Sequence, residues 1–167
     1  VESDQDKLDT VKAIIIASSK DGIPENNLEN ALSYDELIQD ESDEYDWPEL
    51  SEDDAVALCY TSGTTGNPKG VLYSHRSTIL HAISVSGAMG FDSSSSVLPV
   101  VPMFHVNAWG VPYCALINGI TLVLPCHALD GESLYELVKK ESVDSVLGVP
   151  TVWLGLLQYL EGKGLKL

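Results

Sequence analysis

Residues 60–71 read Tyr-Thr-Ser-Gly-Thr-Thr-Gly-Asn-Pro-Lys-Gly-Val, which places three glycines, four Ser/Thr hydroxyls and one lysine in a single short turn. Glycine lets backbone N–H groups close around an anion, the hydroxyls donate further hydrogen bonds, and a lysine reaches the outer phosphates as a mobile point charge. Residues 55–60 before the turn and 70–73 after it are apolar and strand-like. The turn is therefore predicted to join the strands of a hairpin and to hold the phosphates of ATP. It is not a Walker A loop, which needs Gly-x4-Gly-Lys-Ser/Thr. Counting from Gly63, Pro68 stands where the second glycine belongs, and Gly70 where a hydroxyl should follow Lys69. A plain Gly/Ser/Thr hairpin turn is the rival reading of the composition.

The whole string, with Ser74-His75-Arg76 after it, resembles the signature loop of the adenylate-forming (AMP-binding) enzymes: acyl-CoA synthetases, nonribosomal peptide adenylation domains and firefly-type luciferases. Two later stretches resemble the same family in its order and spacing. Pro102-Met103-Phe104-His105-Val106-Asn107-Ala108-Trp109-Gly110 is similar to the acyl-pocket motif, and Gly148-Val149-Pro150-Thr151-Val152-Trp153 to the segment forming another wall of that pocket. Residues 103–112 most resemble the long- and medium-chain fatty acyl-CoA synthetases, in which a tryptophan at the place of Trp109 gates a hydrophobic tunnel. Peptide-synthetase domains carry an aspartate near this point, whereas residues 97–121 contain no acidic side chain, which disfavours an amino acid substrate. Outside this context, a histidine in an apolar stretch is more often a satisfied core residue, and a tryptophan more often a packed aromatic.

The resemblance implies a two-step reaction in which a fatty acid is activated by ATP to an acyl-adenylate and then passed to coenzyme A. It assigns Thr61, Ser62, Gly63, Thr64, Thr65, Gly66 and Lys69 to the phosphate cradle. His105 and Lys69 are the implied catalytic residues, His105 orienting the carboxylate or closing the site. Val106, Trp109, Gly148, Pro150 and Thr151 join His105 in binding the acid. Mg2+ is implied too, but its expected glutamate is not in this sequence, and no metal ligand is assigned.

A chain of 167 residues can bury a core of ordinary single-domain size. The family's later motifs, a Tyr-Gly-x-Thr-Glu segment, a ribose-binding aspartate and a late lysine, do not occur in it. The expectation is thus an internal piece of the large N-terminal domain of an acyl-CoA ligase, inactive when isolated. An adenylating enzyme for another carboxylate (aryl, luciferin-like or carrier-protein loading) and a non-catalytic nucleotide-binding module are the alternatives.

The net charge of −16 is uneven: residues 1–54 hold 18 acidic and 3 basic side chains. So acidic a surface repels nucleic acid and anionic membrane, and the run at 40–46 reads as a solvated linker, with a metal site there as the lesser alternative. The substrates are small molecules; a second copy of the chain is left open as a partner. Cys59, Cys114 and Cys126 lack framework spacing and suggest free buried thiols in a reducing compartment. With no apolar run of membrane-spanning length, a cytoplasmic location is expected.

Two regions are expected: an acidic segment, 1–54, ending in a linker, and an AMP-binding α/β subdomain, 55–167. Residues 11–17 read as a buried strand, and Ser33 with Glu36 as a capping box opening a short helix. The apolar positions Ile79, Leu80, Ala82, Ile83, Val85 and Met89 predict a helix closed at Gly90. A strand at 97–101, a helix at 106–117, a strand at 121–124, a helix from Asp130 to about Glu141, a strand at 145–148 and a helix from Pro150 complete the pattern. Such alternation predicts an open, largely parallel α/β sheet with helices on both faces.

Overall fold

The computed structural model describes residues 10–23, 25–28, 30–61 and 66–167. The chain divides into two compact units, Val1–Glu49 and Leu50–Leu167. In the first, strand β1 (Ile14–Ile16) pairs in parallel with β2 (Ala31–Ser33), which leads directly into helix α1 (Tyr34–Ile38). Ser33 caps α1 by accepting the Glu36 N–H at 3.3 Å. The second half of the expected capping box is absent: the Glu36 carboxylate pairs with Lys20 Nζ at 2.9 Å instead of reaching back. β1 is shorter than the apolar run predicted, and Ile15 is exposed, so it is not a buried strand.

The second unit begins with an antiparallel hairpin of β3 (Ala55–Thr61) and β4 (Lys69–Ser74), as the loop motif requires. Gly70 lies opposite Tyr60, and a Cβ there would sit 2.9 Å from Leu58 Cδ1. β4 runs straight into helix α2 (His75–Met89), whose N-cap Ser74 accepts the Ser77 N–H at 3.1 Å. At its other end Gly90 adopts φ 70°, the left-handed cap that glycine takes without steric cost.

The buried face of α2 matches the predicted stripe at Ala82 and Val85 but not elsewhere. Thr78, Ala82 and Ser86 are buried, whereas Ile79, Leu80, Ile83 and Met89 are exposed. Small side chains at i, i+4 and i+8 let the neighbouring helix approach closely, and packing distance follows side-chain size. Ser86 keeps its hydroxyl satisfied by donating to the Phe91 carbonyl.

Strand β5 (Ser96–Val100) is the centre of a three-stranded parallel sheet, flanked by β6 (Thr121–Leu122) and β7 (Ser145–Gly148). Its residues alternate between two cores. Val97 packs with Ala82, Val111, Cys114 and Ala115; Leu98 and Val100 pack with Leu134, Val138, Leu156 and Leu160. The first core is covered by α2 and α4 (Val111–Asn118), the second by α5 (Gly131–Lys140) and α6 (Pro150–Lys163). Helices therefore lie on both faces, as alternating strands and helices predict. Burial on both sides explains why β5 reads as a continuous apolar run.

Asp130 caps α5, accepting the Ser133 N–H at 3.0 Å and the Ser133 hydroxyl at 2.7 Å. These two donors, the backbone one first, hold its carboxyl below the ordinary aspartate value. A depressed folded-state pKa contributes stability above the unfolded value, and that contribution disappears as pH falls through the folded one. Thermal unfolding of wild type and Asp130→Ala should therefore differ at neutral pH and converge in strong acid. A gap that persists undiminished at acid pH would contradict the assignment.

Candidate active site

In a parallel sheet, ligands bind outside the carboxyl ends of the strands, where neighbouring connections leave in opposite directions. β5 and β7 meet this condition. The connection after β5 leads to α4 on one face, and β7 leads into α6 on the other. Val100 and Gly148, at the carboxyl ends of the two strands, are direct partners in the ladder. Two stretches separated in sequence, residues 101–110 and 149–153, therefore start side by side at one crevice.

Of the predicted site residues, Thr61 ends β3 and pairs with Lys69, its hydroxyl directed at the Lys69 carbonyl at 3.4 Å. Lys69 and Gly66 are exposed, and Gly66 takes φ 142° with open space where a Cβ would project. Ser62, Gly63, Thr64 and Thr65 lie outside the described residues. His105 is exposed and precedes the short helical segment α3 (Val106–Trp109), its N–H donating to the Pro102 carbonyl. Pro150 and Thr151 open α6 and are exposed. Gly148 supports packing: Trp153 Nε1–H donates to its carbonyl at 3.0 Å, and a Cβ at Gly148 would lie 3.3 Å from the indole.

The helix expected over 106–117 is instead broken in two. Val106, Asn107, Ala108 and Trp109 all have positive φ, between 48° and 58°, and Gly110 follows at 75°. Only α4, beginning at Val111, is right-handed. Left-handed helical geometry costs about 1–2 kcal/mol per non-glycine residue, so such a run persists only where its surroundings over-determine it. Here they do. Ala108 is fully buried, Cys59 Sγ of β3 lies 3.3 Å from Asn107 Oδ1, and His81 Nε2 of α2 lies 3.1 Å from the Trp109 carbonyl. The turn joins the acid-motif segment to both the strand before the phosphate loop and the helix after it.

The acid motif faces two cavities. One, of about 260 Å³, takes Val106, Asn107 and Gly110 from the turn, Tyr73, Ser77, Thr78 and His81 from β4 and α2, and Tyr113 from α4. The other, of about 370 Å³, is walled by Pro102, Met103, Phe104, Leu124, Pro125 and Leu129 and is almost wholly apolar. Sequence reasoning gave no site role to Cys59, Tyr73 or His81, and included Asn107 only as part of the acid motif. The one available signal was a histidine in α2 one residue before the buried Ala82. The expectation of three buried thiols also fails at Cys126, which is exposed beside the apolar cavity. Burial pushes the Cys114 thiol up, which suits a packing role rather than a nucleophile. Among the described residues no cluster of His, Cys, Asp or Glu could hold a metal ion, and no helix is long and apolar enough to cross a membrane.

A hairpin tied to the crevice at the switch point of a parallel sheet defines an α/β domain of the kind that binds ligands at its strand ends. The chain belongs to the AMP-binding enzyme family, which it matches over residues 1–166. It is 48% identical over 161 residues to a medium-chain-fatty-acid–CoA ligase of Ectopseudomonas oleovorans, covering 95% of this chain and 30% of that protein. A 3-methylmercaptopropionyl-CoA ligase of Ruegeria pomeroyi is 46% identical over 166 residues, 98% of this chain and 31% of its own length. Among solved structures, the o-succinylbenzoate coenzyme A synthetase of Bacillus subtilis in complex with ATP and magnesium ion superposes with a TM-score of 0.67 at 26% identity, covering 77% of this chain and 27% of that one. The chain thus spans about a third of the length of the curated relatives it matches.

Proposed function

We propose that this chain is the phosphate-binding and acid-binding portion of an AMP-forming acyl-CoA ligase acting on a fatty acid. The observation that carries the reading is the left-handed turn, which ties the acid motif to the hairpin bearing the phosphate loop through Cys59 and Asn107. A reaction between a carboxylate and a nucleotide needs both held in one geometry, and positioning of this kind supplies much of the rate.

In the proposed reaction a carboxylate oxygen attacks the α-phosphorus of ATP, and the bond to the β-phosphate oxygen breaks to release pyrophosphate. The coenzyme A thiol then takes the acyl group and AMP leaves. A carboxylate is already ionised at neutral pH, so His105 is required to orient it rather than to act as general base. In this reading the hydroxyls and backbone N–H groups of residues 61–66, with Lys69, would donate to the departing pyrophosphate. Such donors stabilise charge that grows in the transition state. Magnesium, when bound, would neutralise the phosphate oxygens from ligands outside this chain.

Val106, Trp109, Gly148, Pro150 and Thr151 are the proposed acid-side residues. The substrate class follows from the acid-free stretch at 97–121 and from two relatives named for a medium-chain fatty acid and for a short thioether acid. The full-length protein should release AMP only when acid, ATP and coenzyme A are all present, and residues 1–167 alone should not. Adenylation of amino acids in preference to aliphatic acids would refute the reading. Trp109→Ala should change the preference among chain lengths while leaving the melting temperature nearly unchanged. A large fall in melting temperature with an unaltered profile would make Trp109 a packing residue only.

A further inference from the structure

Nothing in the acid motif explains how five consecutive residues, Val106 to Gly110, stay in positive φ. Within the turn, Ala108 N–H donates to the His105 carbonyl, and Gly110 N–H to the Asn107 and Ala108 carbonyls. The first bond of α4 runs from Cys114 N–H to the Gly110 carbonyl, which leaves the Trp109 carbonyl to be satisfied from elsewhere. His81 does so at 3.1 Å. A carbonyl can only accept, so His81 must carry its proton on Nε2 and donate it. The Cδ2–Nε2 edge of the imidazole also lies so close to Gly110 that a Cβ there would come within 2.5 Å of Cδ2. One side chain thus holds the turn by a hydrogen bond at Trp109 and by contact at Gly110, while itself lining the cavity beside Val106 and Asn107.

We propose that His81 is a positioning residue for the acid substrate: by pinning the Trp109 carbonyl it sets the left-handed turn, and through it the shape of the acid site. The inference rests on the acyl-CoA ligase reading. α2 continues directly from β4, so His81 is anchored to the strand leaving the phosphate loop, and the turn is held in register with the nucleotide side of the site. Without the donor, the turn can relax toward ordinary right-handed geometry, moving Val106 and Trp109 together. The effect falls on recognition of the acid and not on the stability of the fold, because His81 is exposed and lies outside both hydrophobic cores.

The test uses the full-length protein with His81→Phe, which keeps a planar ring but removes the donor, and His81→Gln, which restores an N–H donor at nearly the same reach. AMP release is measured across a chain-length series, alongside melting curves. Loss of a single positioning hydrogen bond should raise KM for the acid about tenfold in His81→Phe, with KM for ATP changed by less than about twofold. The chain-length profile should flatten. His81→Gln should recover wild-type KM to within about threefold. Equal changes in both variants, a parallel rise in KM for ATP, or failure of His81→Phe to fold would each overturn the proposal, the last by making His81 a stability residue. If the wild-type protein itself shows no acid-dependent AMP release, it is the ligase reading that fails, before any variant is compared.

Discussion

Lys69→Ala should lower the adenylation rate about 100-fold and raise KM for ATP, while KM for the acid stays close to wild type. Lys69 opens β4 at the mouth of the phosphate hairpin, paired across the ladder with Thr61. Its side chain is exposed and enters neither hydrophobic core, so the fold should not depend on it. Removing one preorganised donor from a leaving group is costly because the charge it meets is greater in the transition state than in the bound substrate. Steady-state kinetics with each substrate varied in turn, plus a melting curve, tests this directly. An unchanged rate and an unchanged KM for ATP would remove Lys69 from the phosphate cradle and leave the hydroxyl-rich residues to hold the nucleotide alone.

Leu98→Ala should cost about 3 kcal/mol of stability, enough to lower the melting temperature by about 10 °C in a domain of this size. Leu98 is fully buried in the central strand and packs with Leu134, Val138, Leu156 and Leu160. Truncation leaves a cavity between β5 and the helices α5 and α6, and parallel strands have no turn nearby through which to relax. Leu98→Met, nearly equal in volume, should cost less than about 1.5 kcal/mol. Chemical denaturation of the two variants separates cavity formation from general sensitivity of the strand. Similar losses in both would mean that shape rather than volume governs this core. Because β5 ends beside β7 at the crevice, the alanine variant should also weaken activity, through displacement of residues 101–110.

Local order was legible wherever neighbouring residues decide it. The hairpin follows from apolar segments around a Gly/Thr turn, the caps at Ser33 and Asp130 from side chains that reach their own backbone, and the stop at Gly90 from glycine's freedom at positive φ. The alternation of strands and helices was enough to predict a parallel sheet covered on both faces. The membership in the AMP-binding enzyme family was also carried by local strings, since a phosphate loop is built from consecutive residues.

Only the tertiary structure decided what depends on partners far along the chain. Of the apolar stripe of α2, Ala82 is buried and Val85 packs on the core, but Ile79, Leu80, Ile83 and Met89 are exposed while Thr78 and Ser86 are buried, because close approach to α4 rewards small side chains over large ones. Residues 106–109 have nothing in their sequence that demands left-handed geometry; right-handed helix is the lower-energy choice for each of them. The turn exists because Cys59 and His81, 48 and 28 residues away from their partners, hold Asn107 and Trp109 in place. Strand order likewise sets Val100 beside Gly148 and so assembles one crevice from two distant motifs. Short-range chemistry thus determined which groups this protein has available, and long-range packing, which can outweigh a local preference of a few kcal/mol, determined where they meet.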